Sequence, residues 1–133
     1  MEKVLKEIGY TNDFEVVVKV SNQSSEISNA VEKQVTCAGD QGIMFGYATN
    51  ETKEYMPLPI LLANSLAKRL TDVRKEAKVD FLKPDGKTSV TVEYINDIPT
   101  RVDTVIIASQ HKENIDIKDL REFIIEEVIK KVL

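Results

Sequence analysis

Five stretches of patterned hydrophobic and polar positions run along this chain, and each predicts an element. From Phe14 to Val20 the period is two, with Phe14, Val16, Val18 and Val20 on one side and Glu15 and Lys19 on the other. β-Branched residues dominate, so this run predicts a strand with one wet face. From Met56 the period becomes helical. Leu58, Leu61, Leu62, Leu66, Leu70 and Val73 recur at spacings of three and four, and Lys68, Arg69, Asp72, Arg74 and Lys75 supply the polar face. Pro57 and Pro59 suit the first turn, where a missing N–H costs nothing. This helix is expected to end near Glu76. Further on, Ser89 to Ile95 alternates, with Val90, Val92 and Tyr94 on one side. Val102 to Ser109 is apolar on both faces in its middle, which predicts a central strand. The short link Asn96–Thr100 makes the two a hairpin. A last helix follows, with Ile117, Leu120, Ile124 and Val128 on one face, widened by Phe123 and Ile125. Asp116 is its expected cap, Asp119 lies in its first turn, and Lys130 and Lys131 suit its carboxyl end.

The remaining stretches carry weaker signals. Residues 1–10 fit one or two helical turns, because Val4, Leu5 and Ile8 share a side. Residues 21–42 form a long polar connection with isolated Ile27, Val31 and Val35. Either a short helix within 26–34 or a solvated linker fits it. Ile43 to Ala48 reads as a buried strand. Pro84-Asp85-Gly86 signals a tight turn.

Length and composition narrow the picture. With 133 residues the chain is one domain by the usual prior, and 42% hydrophobic residues can furnish a core. The net charge is −4 and no basic cluster stands out, which argues against nucleic acid as a partner. The amino end lacks a signal peptide's apolar core, and no apolar run approaches the ~20 residues of a membrane span. A soluble cytoplasmic protein with no membrane partner is expected. Cys37 is the only cysteine, so no internal disulfide forms. One His and one Cys cannot make a zinc site. His111 reads as a structural or surface histidine, and Cys37 has no base near it in sequence. Neither a phosphate loop of the P-loop pattern nor a nucleophile elbow is present.

Candidate chemistry concentrates between Cys37 and Thr52. Three of the five glycines lie there, at 39, 42 and 46, and two of them bracket Asp40-Gln41. A carboxylate and an amide on a glycine turn can grip a polar ligand. The same pattern also serves as a bulge or turn that feeds a strand.

At this point a resemblance enters. Ala38-Gly39-Asp40-Gln41-Gly42-Ile43-Met44-Phe45-Gly46-Tyr47-Ala48-Thr49-Asn50-Glu51-Thr52 resembles GAGDQGLMFGYATDET, the signature of S-adenosylmethionine synthetases. Met56–Ile60 resembles that family's MPLTI, Phe81–Val90 its WLRPDxKxQV, and Ser109-Gln110-His111 the SVQH or STQH that ends the second hairpin strand. The matches fall in family order over nearly the whole chain. The resemblance implies an α+β fold, a two-layer α/β sandwich. Its β-α-β-β-α unit has a mostly antiparallel sheet and is one of the family's intertwined domains, lacking its last strand. Residues 1–36 are then the end of the N-terminal domain, with a strand and a mobile loop. Residues 37–133 are an incomplete central domain. The HPDK segment upstream and the GGGAFSGKD segment downstream are missing.

The reaction implied is transfer of the adenosyl group of ATP to the sulfur of L-methionine. Lys87 matches the PDxK lysine and is the implied catalytic residue, set against the phosphates. Asp85 and Gly86 match neighbouring ATP contacts. Asp40 matches an aspartate on the methionine or adenosine side, and Asn29 falls where the family has a methionine-binding glutamine. Mg2+ and K+ are the family's cofactors, although no metal ligand is identified in this chain. A homodimer or a complementing chain is the implied partner, and the chain alone is expected to be inactive. The alternatives are a non-catalytic nucleotide-binding or interaction domain, or one half of a split enzyme. Four departures stand out: Cys37 for the first signature glycine, Asn29 for glutamine, Lys83 for arginine and Phe81 for tryptophan.

Overall fold

The computed structural model describes residues 2–10, 14–31, 42–76 and 78–133. In chain order its elements are α1 (Glu2–Glu7), α2 (Ser25–Val31), α3 (Leu58–Lys75), β1 (Leu82–Ile95), β2 (Ile98–His111), α4 (Ile117–Glu127) and a 3₁₀ turn (Ile129–Lys131). They divide into two units, Met1–Gly46 and Tyr47–Leu133.

The first unit is lightly built. α1 stops at Gly9, whose φ of 98° places it in the left-handed region that favours glycine. The Gly9 N–H bonds the Lys6 carbonyl and the Tyr10 N–H bonds the Leu5 carbonyl, the pair of bonds that closes a Schellman end. α2 realises the short helix that fits the polar connection. The strand expected at 14–20 is absent. The backbone there joins no ladder, and Val17, Val18 and Val20 are 66%, 74% and 85% exposed. The residue pattern suits a strand, but no neighbouring strand among the described residues takes up its N–H and C=O groups.

The second unit is built on an antiparallel hairpin of β1 and β2. Ile95 pairs with Ile98, so the turn is only Asn96-Asp97, shorter than the expected link. Both turn residues have positive φ, 50° and 62°, the geometry that matches the twist of a two-residue hairpin. Asn and Asp tolerate it better than most side chains. At the far end Leu82 pairs with His111 and Gly86 with Ser109. Four steps along β1 thus match two along β2. The Pro84-Asp85-Gly86 run is therefore a bulge inside the strand and not the expected turn.

Helix α3 packs on β1 along the predicted stripe. Leu66, Leu70 and Val73 are buried, together with Leu82 from β1 and Leu120, Ile124 and Val128 from the α4 segment. Val90, Val105 and Ile107 close the core from the hairpin, and Phe81 meets Phe123 edge to face with ring centroids 5.3 Å apart. Asp116 caps α4 as expected, accepting the Lys118 N–H at 2.7 Å. Arg69 of α3 donates from Nε to the Glu127 carbonyl at 2.9 Å, so an α3 side chain satisfies a carbonyl at the carboxyl end of α4. Lys78 reaches the Glu127 carboxylate at 3.2 Å and holds its pKa below the ordinary value.

The class is α+β, as expected. β2 is not the central strand that its apolar middle predicts. Val105 and Ile107 turn to the core, while Ile106 is 59% exposed on the uncovered face. Replacing Leu66 by Ala is expected to cost about 2–5 kcal/mol in urea unfolding of the chain, because the site is fully enclosed. Asp97→Gly is expected to add about 0.5–1 kcal/mol in the same measurement, by removing a side chain from a left-handed position.

Candidate functional site

The bulge in β1 decides where the candidate residues face. A Cβ on Gly86 would stand 2.7 Å from Cδ2 of Leu70, so position 86 is pressed against α3. The backbone approaches the helix this closely because there is no side chain in the way. Asp85 and Lys87, on either side, are exposed. Neither side chain makes a hydrogen bond or an ion pair with the described residues. One residue on, Thr88 donates from Oγ1 to the Ala63 carbonyl of α3 at 2.8 Å. That bond fixes the strand beside Lys87. Asp85, Gly86 and Lys87 thus form one contiguous feature, a bulge seated on α3 with its two charges turned to solvent.

The other candidates lie elsewhere. Asn29 is exposed on α2, in the first unit. Asp40, together with Cys37, Gly39 and Gln41, lies outside the described residues. The expected buried strand at 43–48 is not one: Ile43, Met44, Phe45 and Tyr47 are 82%, 93%, 94% and 76% exposed, and the backbone is extended without a ladder. An apolar strand is buried only when another surface covers it, and no described element does so.

The end of the glycine-rich stretch is ordered by its own side chains. Thr52 donates from Oγ1 to the Met56 carbonyl at 2.6 Å and accepts the Met56 N–H at 3.2 Å. The Thr49 N–H bonds the Tyr55 carbonyl, and Tyr55 itself holds a φ of 56°. A bulky residue in the left-handed region is strained, and these bonds hold it there. The Tyr94 hydroxyl on β1 donates to Glu51 at 2.6 Å. That bond to the carboxylate, helped by desolvation, pushes the Tyr94 pKa up to about 12. Sequence reasoning missed Glu51, Thr52 and Tyr94. Thr52 four residues before Met56 is a weak local signal. The Glu51–Tyr94 pairing spans 43 residues and leaves none.

His111 is half-buried, and its Nδ1 lies 2.9 Å from the Lys112 carbonyl, which suits a structural role. Among the described residues no three His, Cys, Asp or Glu side chains are grouped to hold a metal ion. Among them also, no helix is long and apolar enough to cross a membrane.

With the bulge and the Thr49–Met56 turn described, comparison with known proteins is decisive. Residues 35–133 match the family described as S-adenosylmethionine synthetase, central domain. The chain belongs to the S-adenosylmethionine synthetase family. It is 42% identical to the S-adenosylmethionine synthase of Clostridium acetobutylicum and 46% identical to that of Pseudothermotoga lettingae. Both alignments take in 100% of this chain and 39% of the relative, so the chain spans about two-fifths of the length of these synthases. The alignments run over 153 and 156 positions, so within the matched span these synthases carry twenty or more residues that have no counterpart in the 133 here.

The Tyr94–Glu51 bond has a pH signature. The folded pKa of Tyr94 is raised from 10.0 to about 12, so its contribution to stability is complete below about 10 and is lost as the pH rises through about 12. In an ultraviolet titration of the four tyrosines, one is expected to ionise near the upper value. Glu51→Gln is expected to bring that tyrosine back toward the ordinary range. An unchanged titration curve would disprove the pairing.

Proposed function

We propose that this chain carries part of the active site of an S-adenosylmethionine synthetase, which joins ATP and L-methionine to give S-adenosylmethionine, phosphate and diphosphate. The observation that carries the reading is the β1 bulge. Asp85 and Lys87 have no ion-pair partner among the described residues and are turned to solvent, at the positions that match the family's ATP contacts, on a strand braced from behind by α3.

In this reading the methionine sulfur attacks C5′ of the ribose in line, and tripolyphosphate departs before it is hydrolysed. The leaving group gathers negative charge as the bond breaks, and a fixed cation aimed at that charge lowers the barrier. Lys87 supplies the cation. Its ammonium is fully available because no carboxylate of the described residues pairs with it. Asp85 and the Gly86 backbone orient the nucleotide, Asp40 lies on the methionine or adenosine side, and Asn29 contacts methionine. Mg2+ and K+ supply further positive charge in the family, and no step here runs through a metal.

Residues 1–36 would be the end of a first domain and 37–133 a central domain, in a cytoplasmic enzyme. The chain alone is inactive in this reading. A second copy or a complementing chain would cover the apolar run of Ile43, Met44 and Phe45, whose exposure supports the need for a partner. That same exposure also supports the second reading. There the chain is a nucleotide-binding or interaction domain without catalysis, or one half of a split enzyme.

Incubation of the purified chain with ATP, methionine, Mg2+ and K+ is expected to yield no S-adenosylmethionine by mass spectrometry. Turnover would overturn the claim of inactivity. Calorimetry is expected to detect ATP binding to the chain. Lys87→Ala should weaken it about tenfold or more, the loss of one charge-assisted bond. The melting temperature should hold, because an exposed, unpaired lysine contributes little to the fold. If the parent chain binds no ATP, the nucleotide-site reading fails.

A further inference from the structure

The outer edge of β2 and the exposed run before α3 complement each other. Only β1 pairs with β2 among the described residues, so the far side of β2 carries backbone N–H and C=O groups that no described strand takes up. Sheet edges are commonly blunted by charge, proline or a bulge. β1 has all three, in Lys83, Pro84, Asp85, Lys87 and the register step between Leu82 and Gly86. β2 has neither charge nor proline from Thr104 to Gln110. A groove runs beside that stretch, walled by Ile107 and Ser109 of β2 and by Ile117, Leu120 and Ile125 of α4. Ile117 and Ile125 are exposed. The chain also holds a segment of matching kind. Residues 43–48 are extended, uncharged and free of proline, and their backbone joins no ladder among the described residues. We propose that two copies of this chain exchange these segments, each laying its residues 43–48 along the β2 edge of the other as a third strand.

The side-chain pattern fits a strand in that place. Successive residues of a strand point to opposite faces. Ile43, Phe45 and Tyr47 then share one face, and Met44, Gly46 and Ala48 the other. The bulkier face meets the groove beside α4, and the smaller one lies next to Ile106 on the uncovered side of the sheet. The area is sufficient as well. Ile43, Met44, Phe45 and Tyr47 are each more than three-quarters exposed. At about 150–250 Å² for each aromatic and somewhat less for Ile and Met, they present on the order of 600 Å² per copy. Reciprocal exchange buries this area in both copies, with the edge and groove that receive it, and so meets the roughly 1,200–2,000 Å² of a specific dimer. A second copy suits the edge better than a foreign peptide, because every copy carries one run and one edge and a twofold pair satisfies both at once. The inference rests on the reading above in which a second copy covers the run, and it names the surface that receives it. It does not require ATP to bind.

The test is sedimentation equilibrium of the full chain, joined to NMR on a sample mixed from isotope-labelled and unlabelled copies. A dimer is expected, with filtered Overhauser contacts from Phe45 of one copy to Ile107 or Ile117 of the other. Phe45→Asp is expected to give a monomer that keeps its helical circular dichroism, because the substituted side chain is exposed and outside the core. Thr91→Lys, on the uncovered face of β1, should leave the dimer intact. A monomeric parent chain would overturn the proposal, and so would a dimer that survives Phe45→Asp. Loss of the dimer with Thr91→Lys would overturn it too, by marking a dimer formed through the uncovered sheet face. A dimer whose filtered contacts do not include Phe45 has the same consequence. The two readings fail separately: a dimer that binds no ATP sinks the nucleotide site alone, and a monomer that binds ATP sinks the strand exchange alone.

Discussion

The contact between Leu70 of α3 and Gly86 of β1 is the constraint on which the second unit depends. A two-stranded hairpin is marginal in water unless its apolar face is covered. α3 provides that cover, and at Gly86 the strand lies against Leu70 with no side chain between them. Around this point lie the buried Leu66 and Val73, the Thr88 bond to the Ala63 carbonyl and the hydrophobic contacts of Val90 and Val105. The seven buried residues among those described form a small core, so each carries a large share of the stability.

Much of this was legible in the sequence. The α3 stripe, its start at Pro57 and its end at Glu76, the Asp116 cap and the hairpin all follow from local periodicity and local chemistry. What failed were statements about neighbours. Phe14–Val20 and Ile43–Ala48 have strand-forming residues, yet a strand is a pairing, and its partner cannot be read from the run itself. The residue types of Pro-Asp-Gly favour a turn. The register of β1 against β2, which makes it a bulge, depends on residues more than twenty positions away. For the site, the family motif located Asp85, Gly86 and Lys87. It could not say that Gly86 faces inward for reasons of packing, nor that Glu51 and Tyr94 meet. Asp40 lies outside the described residues.

The Thr49–Met56 turn reveals a second kind of constraint. Its shape comes from polar groups and not from burial: the Thr52 hydroxyl works in both directions on Met56, and Glu51 holds Tyr94. Such bonds are directional, so they fix the path of the backbone into α3 more tightly than a few apolar contacts would. The strained φ of Tyr55 is tolerated because of them. The turn therefore delivers the start of α3 at a set position, and α3 in turn sets the bulge.

Alternation along β1 separates what holds the fold from what can do chemistry. Leu82, Thr88, Val90 and Val92 are at least half-buried toward the helices, while Lys87, Ser89, Thr91 and Glu93 are exposed. Because successive side chains point to opposite faces, a change at Lys87 leaves the core contacts in place, and a change at Gly86 strikes Leu70 directly. A solvated lysine is ordinary by itself. Lys87 sits one residue from Gly86, beside a carboxylate with which it does not pair. An exposed charge with no partner among the described residues contributes almost nothing to folding.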